Sequence, residues 1–297
     1  MGGEAKFLTK KVVYEQFGYF CSMKLLGRIF NFYLDASIHV ALAILSLVWV
    51  TSSILNIPSD KNLFSFIFFC SIACYNFIKY GVEIKKYIRL GNPCHEYIRF
   101  FSFVCSGIAT YHLFFLEWET ILILGVLGLF TGLYALPVLP GTRNLRSLAG
   151  FKIVPVALVW AGTTVVLPVW AAGSALSWDV WIETIQRLIL VLILILPFEI
   201  RDMKYDPPEL KTFPRRYGMV KTKTLGILLI FLFFFLTLLK DETTQLEIVS
   251  KTLLSLGMGS ILLITKKNQN KYFSVFWVEA IPIFWWILIW VLIGRGN

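Results

Sequence analysis

Asp202 and Asp206 stand four residues apart at the end of a long apolar run, within Phe198-Glu199-Ile200-Arg201-Asp202-Met203-Lys204-Tyr205-Asp206-Pro207-Pro208. On a helix, positions i and i+4 share a face, so the two carboxylates repel unless a cation lies between them. Mg²⁺ suits that place, because it takes one or two carboxylates and leaves its other positions to water and phosphate oxygens. Arg201, Lys204, Lys211, Arg215 and Arg216 crowd the same stretch, and such side chains are charge-assisted donors to a phosphorylated ligand. Pro207-Pro208 ends the helix, which puts the cluster at its exit. The plainer reading of the same residues is a basic loop whose acids balance its bases.

Other reactive side chains are sparse. Glu279 lies three residues before Pro282 in an apolar run; an acid inside a bilayer is costly and marks either a functional group or a hydrogen bond to another helix. The five cysteines, Cys21, Cys70, Cys74, Cys94 and Cys105, form no framework. Cys70 and Cys74 share a helix face, but two thiols alone do not make a zinc site. His39 and His112 fall in separate apolar runs, and Cys94-His95 follows a Gly-Asn-Pro turn. These read as packing and hydrogen-bonding residues, with no metal or thiol chemistry.

The elements that carry these groups follow from composition. The 297 residues are 57% hydrophobic and 15% charged, with a mean hydropathy of +0.72, whereas soluble domains carry about a quarter charged residues. Disorder and a disulfide-stapled scaffold are excluded by the same balance. The sequence describes an integral, multi-pass membrane protein. Its net charge of +10, which in a soluble chain suggests nucleic acid, becomes a matter of topology, and no nucleic-acid partner is expected.

A crossing helix needs about 20 mostly apolar residues. Nine stretches qualify, at 37–55, 63–84, 98–116, 120–138, 151–172, 180–200, 224–239, 248–265 and 273–294. They predict an all-α bundle, since a β-barrel requires alternating rather than continuous apolar runs. Threading nine spans puts 22 of the 28 Lys and Arg on one side and five on the other, these being Lys61, Arg187, Lys240, Lys251 and Arg295, with Lys79 inside the second span. Positive loops mark the cytoplasmic face, so the N-terminus and the Asp202–Asp206 region are expected there. Residues 1–36 read as a cytoplasmic segment, amphipathic over 5–34 where Lys and Arg alternate with Phe, Tyr and Leu. Residues 37–297 read as one transmembrane domain, with no cleavable signal peptide.

Arg201-Asp202, Asp206, Lys211-Thr212-Phe213-Pro214 and Gly218 resemble the second aspartate motif of the UbiA superfamily of intramembrane prenyltransferases. That motif has the form Asp-x-x-x-Asp, followed by a Lys-Thr-Leu-Pro-like stretch and a glycine. The family also has nine helices, with its aspartate motifs facing the cytoplasm. The resemblance implies that Asp202 and Asp206 are Mg²⁺ ligands on a polyprenyl diphosphate, with Arg201, Lys204, Lys211 and Arg215 near the diphosphate. It also brings in Arg143, Arg146 and Lys152 of the Leu139-Pro140-Gly141-Thr142-Arg143 loop, whose other reading is as topology anchors.

The family's first motif, Asn-Asp-x-x-Asp-x-x-x-Asp, aligns with Asn76-Phe77-Ile78-Lys79-Tyr80-Gly81-Val82-Glu83-Ile84. The asparagine is kept, but Phe77, Tyr80 and Ile84 stand where the acids belong. Asn76, Lys79, Tyr80 and Glu83 fall on one helix face. Either Lys79 supplies the positive charge of a second metal, or it snorkels from the end of its span. Two functions follow from the resemblance: a divergent prenyltransferase that joins a polyprenyl diphosphate to a lipophilic acceptor, or a non-catalytic protein that binds an isoprenoid lipid. A terpene cyclase shares the first chemistry. A transporter would show paired broken helices, and Pro155, Pro168 and Pro197 lack that symmetry.

Overall fold

The structure is a computed structural model that describes residues 25–81, 93–135, 153–204 and 212–296. Every regular element among the described residues is helical. Helix α1 is Leu25–Asp35 and α2 is Ile38–Ile54; α3, Lys61–Asn76, continues as a π-helical turn, Phe77–Gly81. Then come α4, Pro93–Leu113, and α5, Trp118–Ala135. Helix α6 runs over Ile153–Ala171 with a π-helical stretch at Gly162–Val166. Helix α7 is Trp178–Asp202, α8 is Phe213–Leu236 with a final turn at Thr237–Leu239, and α9 is Gln245–Ile264. A π-helical segment, Phe273–Val278, leads into α10, Ile281–Gly296.

The expected multi-pass helical bundle is observed, with a different tally of spans. Seven helices among the described residues are long and apolar enough to cross a membrane, and the bent pair α1–α2 makes an eighth. Helix α2 has only 17 residues of its own. Helix α4, over the expected span 98–116, is helical but too polar to pass as a span.

Helix α7 is the axis of the bundle. In its most apolar stretch 67% of residues are buried, against 11% for α5, which forms a lipid-exposed edge. Around α7 pack α6, α8 and α9, while α2 packs on α3, α6 and α10. The largest core, which includes Leu47, Leu190, Ile193, Phe233, Met258 and Trp285, joins α2, α7, α8, α9 and α10. Large apolar side chains also lie outside, as Phe103, Leu129 and Trp290 do, which suits a lipid surround rather than water.

Two breaks position the candidate site. Between α1 and α2 the chain turns by 61° through Ser37, held at φ 60°. Asn76 closes this bend: its amide accepts from Ser37 Oγ at 2.7 Å and donates to Ala36 O at 3.0 Å and to Ser102 Oγ at 2.8 Å. One side chain thereby fastens the bend to both α3 and α4. The second break is Gly218, at φ 83° and ψ 165° inside α8, a conformation open to glycine and costly for other residues. It separates the short Phe213–Tyr217 turn, with Pro214 in its first turn, from the membrane helix proper.

Candidate functional site

Where α1, α3, α7 and the 265–272 connection meet, a cavity of about 410 Å³ opens at one end of the bundle. Five cations line it: Lys79, Arg201, Lys204, Lys267 and Lys271, together with the carboxylate of Asp35. The π-helical turn after α3 presents Lys79, whose Nζ lies 3.6 Å from Asp35 Oδ1 and donates to Asp35 O at 3.2 Å. Tyr80 donates its hydroxyl to the same carbonyl at 2.9 Å. At the last turn of α7, Arg201 Nε donates to Asp202 Oδ1 at 2.8 Å. Gln269, also on the wall, donates to Pro197 O at 2.8 Å and ties the 265–272 connection to α7. Tyr272 donates to Asn31 at 3.0 Å, closing the wall against α1.

Of the sequence-derived site residues, Lys79, Arg201 and Lys204 converge on this cavity and Asp202 adjoins it through Arg201. Asn76, expected beside Lys79, turns away: its amide is used in the clasp at the α1–α2 bend, and it does not line the cavity. Arg215 donates to Met203 O at 3.0 Å, folding the start of α8 back on the end of α7. Asp206, Lys211, Arg143, Arg146, Lys152 and Glu83 lie outside the described residues. Glu279, in the break before α10, interacts electrostatically with Lys79 and Arg201 and does not line the cavity. His39 makes the hydrogen bonds expected of a bundle histidine, to Tyr33 at 2.6 Å and Phe276 O at 2.9 Å. Cys70 and Cys74 approach to 3.8 Å between sulfurs.

Sequence reasoning missed Asp35, Lys267 and Lys271. The lysines were visible only as positive loop charge, and Asp35 is brought to Lys79 across 44 residues by the bend. A single carboxylate oxygen is engaged by Arg201 at Asp202, and a carboxylate has a second. Mg²⁺ needs only one or two carboxylates beside phosphate and water, so Asp202 fits the ion that the resemblance implies.

A second charged group lies deep in the other half of the bundle. Arg187, Lys240 and Lys251, expected as loop bases, have side chains no more than 1% exposed. Glu183 accepts from Arg187 at 3.1 Å and from Lys251 at 2.8 Å, and pairs with Lys240 at 3.1 Å. Glu247 accepts from Lys240 at 2.6 Å and Lys251 at 2.7 Å. Arg187 further donates to Leu47 O, Thr164 and Thr51, and Lys251 to Gln186. Burial acts to lower the Lys240 ammonium, but the Glu183 and Glu247 carboxylates outweigh it and its pKa is raised. These charges join α2, α6, α7, α8 and α9, and their role is to hold the bundle. The expectation of loop bases at these three positions is thereby corrected.

No protein-family model matches the sequence, and no curated protein matches it. Solved structures do match. A UbiA homologue from Aeropyrum pernix K1, in its apo form, superposes with a TM-score of 0.63 at 13% identity, over 86% of this chain and 98% of that one. A UbiA homologue from Archaeoglobus fulgidus bound to GPP and Mg²⁺ gives 0.57 at 11% identity, over 88% and 99%. A digeranylgeranylglyceryl phosphate synthase gives 0.54 at 15% identity, over 88% and 97%. The chain shares the fold of these UbiA homologues over 86–88% of its length.

Proposed function

We propose that the protein is a divergent UbiA-like membrane prenyltransferase that takes an isoprenyl diphosphate donor and a lipophilic acceptor. The observation that carries the reading is the convergence of Lys79, Arg201 and Lys204 on one cavity of this fold. A UbiA homologue of the same fold was solved with GPP and Mg²⁺, and another structure of it with DMAPP and Mg²⁺. The cavity end of the bundle is the cytoplasmic end in this reading, where most loop bases gather.

Transfer requires heterolysis of the allylic carbon–oxygen bond, with the electron pair leaving on the diphosphate. Arg201, Lys204 and Lys79 stabilise that developing charge, as fixed cations do best in a site shielded from water. Mg²⁺, held by Asp202 and Asp206, would supply further neutralisation of the leaving group. The prenyl chain runs between the apolar helices. The acceptor then captures the allylic cation, forming the new bond and releasing a proton. Asp202 also orients Arg201 through their 2.8 Å hydrogen bond.

The test is incubation of the purified chain with labelled isoprenyl diphosphates of several lengths, with and without Mg²⁺, against a panel of lipophilic acceptors. Diphosphate release that Asp202→Ala and Asp206→Ala both abolish is the expected result. Lipid binding without turnover toward any acceptor would overturn it in favour of a binding protein.

A further inference from the structure

The acids at the cavity are already bonded to the chain's own cations. Asp35 is engaged by Lys79 and Asp202 by Arg201. Asp35 and Asp202 act as counter-ions that set Lys79 and Arg201 in place. Among the described residues, five lining cations stand against the carboxylates of Asp35 on the wall and Asp202 beside it, which leaves a net positive cavity, opposite in sign and comparable in charge to an allylic diphosphate. The cations also come from three separate places. Lys79 follows α3, Arg201 and Lys204 end α7, and Lys267 and Lys271 lie between α9 and α10. An anion between them is therefore met from several sides.

We propose that the cavity binds the diphosphate of its donor without a metal ion, through Lys79 braced on Asp35, Arg201 braced on Asp202, and Lys271 and Lys267 on the facing wall. This rests on reading the cavity as a diphosphate site and deepens it: metal acts on bond breaking, while the fixed cations carry ground-state binding. Lys267 and Lys271 become diphosphate-binding residues that neither the aspartate motifs nor the spacing of the acids picks out. A lysine ammonium is a compact point charge with three donors, so it serves an oxygen-rich ligand much as an ion would. Arg201 adds a planar fork of fixed geometry.

The experiment measures equilibrium binding of GPP (geranyl diphosphate), and of inorganic pyrophosphate as a headgroup probe, to the full chain in lipid nanodiscs. It is done once in EDTA and once in Mg²⁺. We expect binding in EDTA to remain within about tenfold of that in Mg²⁺. In EDTA, Lys79→Met and Lys271→Met should each weaken it by about ten- to a hundredfold, the loss of one charge-assisted hydrogen bond, and Lys79→Arg should restore most of it. Binding seen only with Mg²⁺ would overturn the proposal, and so would EDTA affinities unchanged in both methionine variants. The wild-type comparison needs no variant and stands even if one fails to fold. Metal-free binding with no turnover sinks the transferase but not this inference, and turnover with strictly metal-dependent binding does the reverse.

Discussion

Among the described residues, two clusters of five or more charges are built from the same residue types, and they differ sharply in burial. In the deep cluster Glu183, Arg187, Lys240, Glu247 and Lys251 are all at or below 2% side-chain exposure, and each is held by a partner of the opposite sign. At the cavity, Lys79 and Asp35 keep 44% and 31% exposure and sit 3.6 Å apart. Buried charges without partners are costly, so a deep cluster has to be saturated by the protein itself. A partly open cluster can keep donors for a ligand. Burial, rather than residue type, separates what holds the bundle from what would meet a substrate.

The largest expected effect falls on the deep cluster. Glu183→Gln removes the acid shared by three cations, and breaking a buried pair of this kind costs about 3–5 kcal/mol. Thermal unfolding in detergent should register a collapse of the midpoint. By contrast Lys267→Met, on the exposed wall of the cavity, should change stability by no more than about 0.5 kcal/mol while weakening pyrophosphate binding. A Glu183→Gln protein that unfolds normally but loses diphosphate binding would erase the distinction between the two clusters.

Asn76→Ala comes next. It removes the acceptor of Ser37 Oγ and a donor to Ala36 O, and an orphaned buried group costs about 1–3 kcal/mol. If Asn76 instead served the ligand directly, binding would fall further than the unfolding midpoint predicts. Gly218→Ala puts a β-carbon at φ 83°, a strain of about 1–3 kcal/mol, to be read as reduced stability with cavity binding preserved.

The smallest effect is on pH dependence. Because the Lys240 ammonium is raised by Glu183 and Glu247, its contribution to stability is fully present below the ordinary lysine value of about 10.4. It is lost as pH rises through the higher folded value. Unfolding midpoints followed into alkaline solution should fall there, and Lys240→Gln should flatten that part of the curve. Wild type and variant with the same alkaline profile would place Lys240 outside the network.

The fold class and half the cavity were legible in the sequence, because apolar runs and the crowd of bases around Asp202 are local signals. The deep cluster was also written there, as two acid–base pairs four residues apart, Glu183 with Arg187 and Glu247 with Lys251. Glu183, Arg187 and Lys251 lie inside the apolar windows 180–200 and 248–265, but counting bases by side gives no sign of which way a helix turns them; α7 and α9 begin at Trp178 and Gln245, so Glu247 is on helix as well. Once both members of a pair lie on one helical face, they can turn inward together. The Lys79–Asp35 contact had no local signal at all, since the bend at Ser37 creates it. Asn76 illustrates the reverse error: its position beside Lys79 suggested a ligand contact, but the neighbouring bend and Ser102 of α4 take its hydrogen bonds.

Helix α7 carries both clusters on one continuous element, with Arg187 and Arg201 fourteen residues apart. That is about 21 Å along the axis and nearly the same azimuth, since fourteen residues come within about a tenth of a turn of closing four. One rigid element therefore sets the spacing and the relative angle of a saturated cluster and an open one. Between them stands Pro197, whose carbonyl accepts from Gln269, so the cavity wall at the 265–272 connection is fastened to the same helix that the deep cluster anchors.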